Sequence, residues 1–207
     1  VNGYAHQQPR KSRMSMREKL GLVFCHEIVN DLVINKGGKL MLEPYRVLDL
    51  TDERGQLAGM MLADLGAEVI LVEPPEGSRS RTVGPFVEGR EGDPEASLWF
   101  WSYNRGKRSL TLDLDTEEGQ SRLKALVKGA DVIIESSDVG KMASRGLSYE
   151  DLSALNPQII FTSISPYGQT GPKSSWRATD LTVAAAGMQM NMQGDDDRPP
   201  LRIPLDQ

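Results

Sequence analysis

The feature that most constrains the fold is an alternation of short apolar strands and helices that begins at Tyr45. Residues 45–50 predict a strand, residues 53–65 a helix closed by Gly66, and residues 68–72 a second strand. Such a unit, about thirty residues long, joins two parallel strands through a right-handed crossover. The first part of the chain therefore predicts a parallel sheet.

The alternation resumes after a long loop, residues 74–94, that is rich in glycine, proline and charge. The later predicted elements are strand 109–113, helix 117–127, strand 131–134, helix 149–155 and strand 159–164. Because these strands are nearly continuous apolar runs, both faces of their sheet are expected to be covered. The predicted fold class is α/β: an open, mostly parallel, Rossmann-like sheet with helices on both faces.

Composition excludes several classes of protein. A chain of 207 residues can bury the core of one domain, and a net charge of −5 argues against a nucleic-acid partner. One cysteine excludes an internal disulfide and a cysteine-based metal cluster, which indicates a cytoplasmic protein with no predicted metal site. No apolar run approaches the ~20 residues that span a bilayer, so no membrane association is predicted.

The chain divides at about residue 40. Residues 1–40 predict a leader with one amphipathic helix, which begins at Met16 and carries an apolar residue at every fourth position. Residues 41–207 predict the α/β domain. The chain begins with valine and stops just after an apolar stretch, residues 201–205, that predicts a strand, so we expect a domain truncated at its C-terminus.

A cationic turn, residues 104–108, leads into the strand that begins near Ser109. Arg105 and Arg108 offer planar forks of donors and Lys107 a mobile point charge, a combination that suits a phosphate-bearing ligand. The alternative is an ordinary solvated basic turn. Arg79 and Arg81, in the long loop, could reach a ligand at the carboxyl ends of the strands.

Two other functions are open on the residues alone. A nicotinamide-binding oxidoreductase is suggested by the first strand–helix–strand unit with Glu73 at its end, but the turn at 52–59 lacks the G-x-G-x-x-G spacing. That turn also places Asp52 and Glu53 where phosphate charge would lie. A non-catalytic α/β binding module is the second alternative.

Six segments occur together in the order typical of one family. They are 47–51, 62–74 with its Leu-Gly-Ala-Glu-Val-Ile, 104–113, 130–135, Leu155-Asn156-Pro157 and Gly168-Gln169-Thr170-Gly171-Pro172. In this order the sequence resembles the class III CoA-transferases, which include formyl-CoA and carnitine CoA-transferases and 2-methylacyl-CoA racemases. The resemblance covers roughly residues 44–207.

The resemblance implies that coenzyme A is bound as a substrate, with no tightly bound cofactor. It implies a set of CoA-binding positions: Arg105, Lys107, Arg108, Leu112, Ser136, Ser137, Arg145 and Arg177. Ser136 and Ser137 stand where family members usually read Asn-Phe, and Arg145 is displaced by one place from the family's arginine.

The resemblance also implies transfer of CoA from an acyl-CoA donor to a carboxylic acid through an aspartyl intermediate. A carboxylate attacks the thioester to give a mixed anhydride, and the released thiolate then forms an aspartyl-CoA thioester. Asp206 is the only carboxylate in the corresponding place, but an ungapped comparison puts the nucleophile a few residues beyond Gln207, and we favour the latter.

The racemase branch carries a histidine directly before the aspartate of the helix start, where this chain has Thr179 before Asp180. A hydroxyl cannot replace imidazole as a base near neutral pH, so transferase is favoured over racemase. The resemblance further implies a homodimer.

Overall fold

A computed structural model describes residues 40–194 and 197–199, and the described residues from Leu42 onward belong to one compact unit. Its sheet has five strands in the order β3-β2-β1-β4-β5, and every neighbouring pair is parallel. The strands are β1 Arg46–Leu50, β2 Glu68–Glu73, β3 Arg108–Thr111, β4 Val132–Glu135 and β5 Ile160–Ser163. The predicted fold class is confirmed.

Helices cover both faces of the sheet, because successive apolar side chains of a strand point to opposite faces and both faces must be buried. On β1, Val47 belongs to one buried cluster and Leu48 to another. The Val47 cluster packs against the helix α1, Gln56–Asp64, through Ala58 and Leu62. The Leu48 cluster packs against the later helices described next.

Five further helices lie in the described part of the chain. They are α2 Leu98–Asn104, α3 Glu117–Val127, α4 Lys141–Ser144, α5 Tyr149–Ser153 and α6 Asp180–Ala186. The Leu48 cluster takes Leu123 and Val127 from α3, Met142 from α4 and Leu152 from α5. Single 3-10 turns occupy Arg79–Thr82 and Gln189–Met192.

The helix α2 was not predicted from the sequence. Its aromatic run, Leu98 to Tyr103, favours a strand by propensity. One local and one tertiary feature stabilise the helix instead: the Oγ of Ser97 accepts the backbone N–H of Phe100 at 3.0 Å, and Phe100 and Asn104 are buried. Local capping and burial therefore override propensity here.

The helix α1 begins three residues later than predicted because residues 52–55 form a turn. The backbone N–H of Gly55 donates to the carbonyl of Asp52 at 3.0 Å, and that of Arg54 donates to Asp52 Oδ1 at 3.0 Å. An aspartate that captures its own following backbone favours a turn over a helix. The predicted leader helix and the predicted strand 201–205 lie outside the described residues.

The first turn of α3 lies against the end of β3, which makes Gly119 intolerant of a side chain. A Cβ at Gly119 would overlap the carbonyl oxygen of Asp113 and lie 2.6 Å from its carbonyl carbon. Alanine stabilises a helix by ~1 kcal/mol relative to glycine, but overpacking of this kind costs ~1–3 kcal/mol or more. We therefore expect Gly119→Ala to lower the free energy of unfolding, measured by urea denaturation.

Gly129→Ala is the matched control for Gly119. A Cβ at Gly129 would meet Arg46 Nη1 at 3.5 Å, an ordinary contact, so we expect a change within about 0.5 kcal/mol. Equal stability of the two variants would contradict the close approach of α3 to Asp113.

Candidate functional site

Two adjoining clefts lie where the parallel strands end. The edge cleft, about 530 Å³, is lined from the ends of β1, β2 and β3 and from the segment after β4, with Leu112, Ser137 and Arg145 among its walls. The switch cleft, about 460 Å³, is lined by Arg54, Ser137 to Val139, Pro166 and residues 174–178. Ser137 contributes to both clefts, so they are neighbours.

Their position follows from the topology of the sheet. The chain passes from β1 outward to β2 and β3, then returns to β4 on the other side of β1. Loops therefore diverge between the carboxyl ends of β1 and β4, and open α/β sheets bind ligands in the crevice that results.

Arg145 is the partly buried cation of the edge cleft. Its Nε donates to Asp115 Oδ1 at 2.9 Å, and Nη2 lies 2.8 Å from the same oxygen. Lys141 Nζ lies 3.4 Å from that oxygen. The hydrogen bond from Arg145 lowers the pKa of Asp115. The arginine side chain is only 18% exposed, so its guanidinium is fixed at the cleft wall with one carboxylate beside it.

The two serines at the end of β4 have different surroundings. Ser136 is buried, and its Oγ both accepts from the backbone N–H of Asp52 and donates to Asp52 Oδ1, each at 2.9 Å. Ser137 is partly exposed, and its backbone N–H donates to Glu135 Oε2 at 2.7 Å. Ser136 therefore holds the turn after β1, while Ser137 faces both clefts.

The basic turn, residues 104–108, lies at the opposite ends of the strands from the two clefts. Arg108 is the first residue of β3, and the strands are parallel, so this turn stands at their amino ends. Arg108 Nη1 pairs with Glu68 Oε1 at 2.8 Å, and Arg105 Nη2 with Asp64 Oδ2 at 2.6 Å. CoA binding by Arg105 and Arg108 stays a prediction that this placement does not favour.

Lys107 points into the protein instead of into solvent. Its Nζ donates to Asp49 Oδ2 at 2.7 Å, to the carbonyl of Gln56 at 2.8 Å and to Asn104 Oδ1 at 2.9 Å. The side chains of Lys107 and Asp49 are 1% and 0% exposed. Burial lowers the pKa of Lys107, and the charge of Asp49 opposes that shift. Contact of this ammonium with a phosphate likewise stays a prediction without support from the geometry.

Arg81 lines a smaller cleft at the end of β2, where it is bound to Glu73, and its contact with a ligand stays a prediction. Its Nε and Nη2 donate to the two carboxylate oxygens at 2.7 and 2.9 Å, and the guanidinium lies 3.9 Å from the ring centroid of Phe100. Ser109 Oγ donates to the same carboxylate at 2.6 Å. Arg79 is 81% exposed, 3.3 Å from Glu53. The sequence analysis did not predict the buried ion pair of Arg81 with Glu73. A charged residue, Glu73, at the end of an apolar strand was the signal that could have indicated it.

Arg177 lies in the switch cleft, apart from Leu112 and Arg145. It has no hydrogen bond or ion pair with residues 40–194 or 197–199. Asp206 lies outside the described residues. Within the part of the chain that the structure describes, no cluster of metal ligands and no helix able to cross a membrane is found.

The sheet order and the crevice at its carboxyl edge define a doubly wound α/β protein. The family model for CoA-transferase family III matches residues 42–206. The chain belongs to this family, as the resemblance implied.

Known relatives agree with the family assignment. Succinyl-CoA:(R)-benzylsuccinate CoA-transferase subunit BbsE of Thauera aromatica is 40% identical over 79% of this chain and 40% of its own length. Succinate–glutarate CoA-transferase of Agrobacterium fabrum is 42% identical over 78% and 41%. A CAIB/BAIF family crystal structure from Brucella suis has a TM-score of 0.74 at 40% identity, covering 80% of this chain and 44% of that one. The chain thus spans about two fifths of the length of the relatives it matches.

Proposed function

We propose that the edge cleft binds coenzyme A and acyl-CoA, and that the protein moves CoA from an acyl-CoA donor to a carboxylic acid. One observation carries this proposal: Leu112, Ser137 and Arg145, separated along the chain, line one cavity at the carboxyl edge of the sheet. Its apolar side chains suit a flat base and Arg145 suits a phosphate, although the carboxylates Glu76, Asp113 and Asp115 line the same cleft.

The names of the two relatives indicate the class of acid. Succinate, glutarate and benzylsuccinate are all dicarboxylic acids. We therefore include a dicarboxylic acid among the donors or acceptors. CoA serves as a substrate here, with no tightly bound cofactor. Both relatives are CoA-transferases, so they do not support the nicotinamide-binding alternative.

The covalent route and the assembly are parts of the same proposal. An aspartyl intermediate requires a carboxylate at the site, either Asp206 or a residue beyond Gln207. Hydroxylamine trapping after incubation with acyl-CoA would detect the intermediate. Sedimentation would test the homodimer.

Binding is tested first by thermal unfolding of the 207-residue chain. We expect saturating CoA to raise the thermal midpoint and NAD to leave it unchanged, since a ligand that binds only the folded state stabilises it. The reverse result would overturn the proposal in favour of the oxidoreductase.

Arg145→Ala tests the location of the site. Loss of a charge-assisted contact to phosphate is expected to weaken CoA binding about tenfold in calorimetric titration. Arg122→Ala is the control, since Arg122 is an exposed arginine of α3 paired only with Glu118 among the described residues, and it should leave the affinity unchanged. Equal affinities of both variants would place the phosphates elsewhere.

A further inference from the structure

The switch cleft combines an apolar wall with two arginines. Val139, Pro166 and Trp176 supply apolar surface, and Trp176 is 58% exposed. Arg54 and Arg177 supply positive charge in the same cavity. A short aliphatic chain that ends in an anion matches both parts of this lining.

Arg54 is held in place by hydrogen bonds that use Nε and Nη2 of its guanidinium and leave Nη1 available. Its Nε and Nη2 donate to Asp52, the latter at 2.6 Å, and Nη2 also donates to the carbonyl of Ser136. Nη1 lies 3.8 Å from Asp138 Oδ1 and makes no hydrogen bond with the described residues. An arginine fixed in this way loses little entropy when it binds a carboxylate.

Arg177 differs from Arg54 because its guanidinium has no partner among the described residues. Asp138 is the carboxylate that lines the cleft, and at 93% exposure its charge is largely screened by solvent. The cleft therefore retains unused donors at Arg177 and at Nη1 of Arg54.

We infer that the switch cleft binds the distal carboxylate of a dicarboxylic acyl group, with Arg177 as the principal contact and Arg54 as the second. This inference rests on the proposed function, because the thioester end of the acyl group must come from CoA in the adjoining edge cleft. Arg177 is thereby a specificity-determining residue, and its role differs from the CoA-phosphate contact that the family resemblance implies.

The test compares glutaryl-CoA with valeryl-CoA, which has the same chain length without the distal carboxylate. We expect the 207-residue chain to bind glutaryl-CoA about tenfold more tightly, the ratio typical of one charge-assisted contact. Arg177→Met should remove most of this preference, because Arg54 remains as the second contact, while leaving the affinity for valeryl-CoA unchanged. Lys173→Met is the control, since Lys173 lies 5.3 Å from the Trp176 ring in the same segment but does not line the cleft.

The contrary outcomes are distinct. If Arg177→Met weakens valeryl-CoA and glutaryl-CoA equally, Arg177 contacts the coenzyme and the inference is wrong. If the wild-type chain binds both thioesters equally, or the variant keeps the preference, the carboxylate is not recognised here. If neither thioester nor CoA binds, the proposed function itself fails, and this inference with it.

Discussion

Lys107→Met is expected to lower the free energy of unfolding by about 3–5 kcal/mol, the usual cost of leaving a buried charge without its partner. The ammonium is the cation bound to Asp49, and both side chains are almost completely buried. Removing it also leaves the carbonyl of Gln56 and Asn104 Oδ1 without this donor. Urea denaturation followed by circular dichroism measures the loss.

Two variants isolate the buried charge. Arg108→Met removes an exposed neighbour that pairs with Glu68, and it should cost less than about 1 kcal/mol. Adding Asp49→Asn to Lys107→Met removes the stranded carboxylate charge and should recover part of the loss. If Lys107→Met costs no more than Arg108→Met, the ammonium is not buried against Asp49.

Stability is also expected to fall as the pH is lowered from about 5 towards 2, because of Glu73. Burial alone would raise the pKa of this carboxyl group, but hydrogen bonds from Arg81, Ser109 and the backbone of Ser78 lower it to about 2, from an ordinary 4.5. A carboxylate whose pKa is depressed on folding stabilises the protein above its unfolded pKa and loses that contribution as it is protonated. The difference corresponds to about 3 kcal/mol.

Glu73→Gln tests this pH dependence directly. At pH 7 the variant should be less stable than the wild type by about 3 kcal/mol, and the gap should shrink as the pH approaches 2. Glu95→Gln is the control, because Glu95 pairs with the same Arg81 but is 74% exposed. A gap that stays constant with pH would mean that the ionisation of Glu73 does not contribute to folding.

Local pattern predicted most of the fold. The helix α3 has the bounds expected from the sequence, Glu117–Val127, because Thr116 caps it and its apolar spacing is regular. The aromatic helix α2 was not predicted, because its aromatic run favours a strand and the burial of Phe100 is a tertiary feature; Ser97 was the one local signal of a helix start.

The sequence says less about the candidate site than about the fold. The charge of the basic turn suggested a ligand site, although a turn that precedes a strand of a parallel sheet lies at the amino ends of the strands. Its position at the entrance of β3, and Asp49 within an apolar strand, were the signals that Lys107 could be internal. Leu112 and Arg145 are brought together only by the packing of α4 beside the end of β3, which no local pattern shows.

We propose that the ligand binds where the carboxyl ends of the parallel strands meet. Amide hydrogen exchange of the 207-residue chain, with and without CoA and read by peptide mass spectrometry, tests it most directly. We expect slower exchange in residues 112–115 and 137–145 when CoA is present, with no change in residues 104–108. Protection confined to residues 104–108 would show instead that the ligand binds at the basic turn.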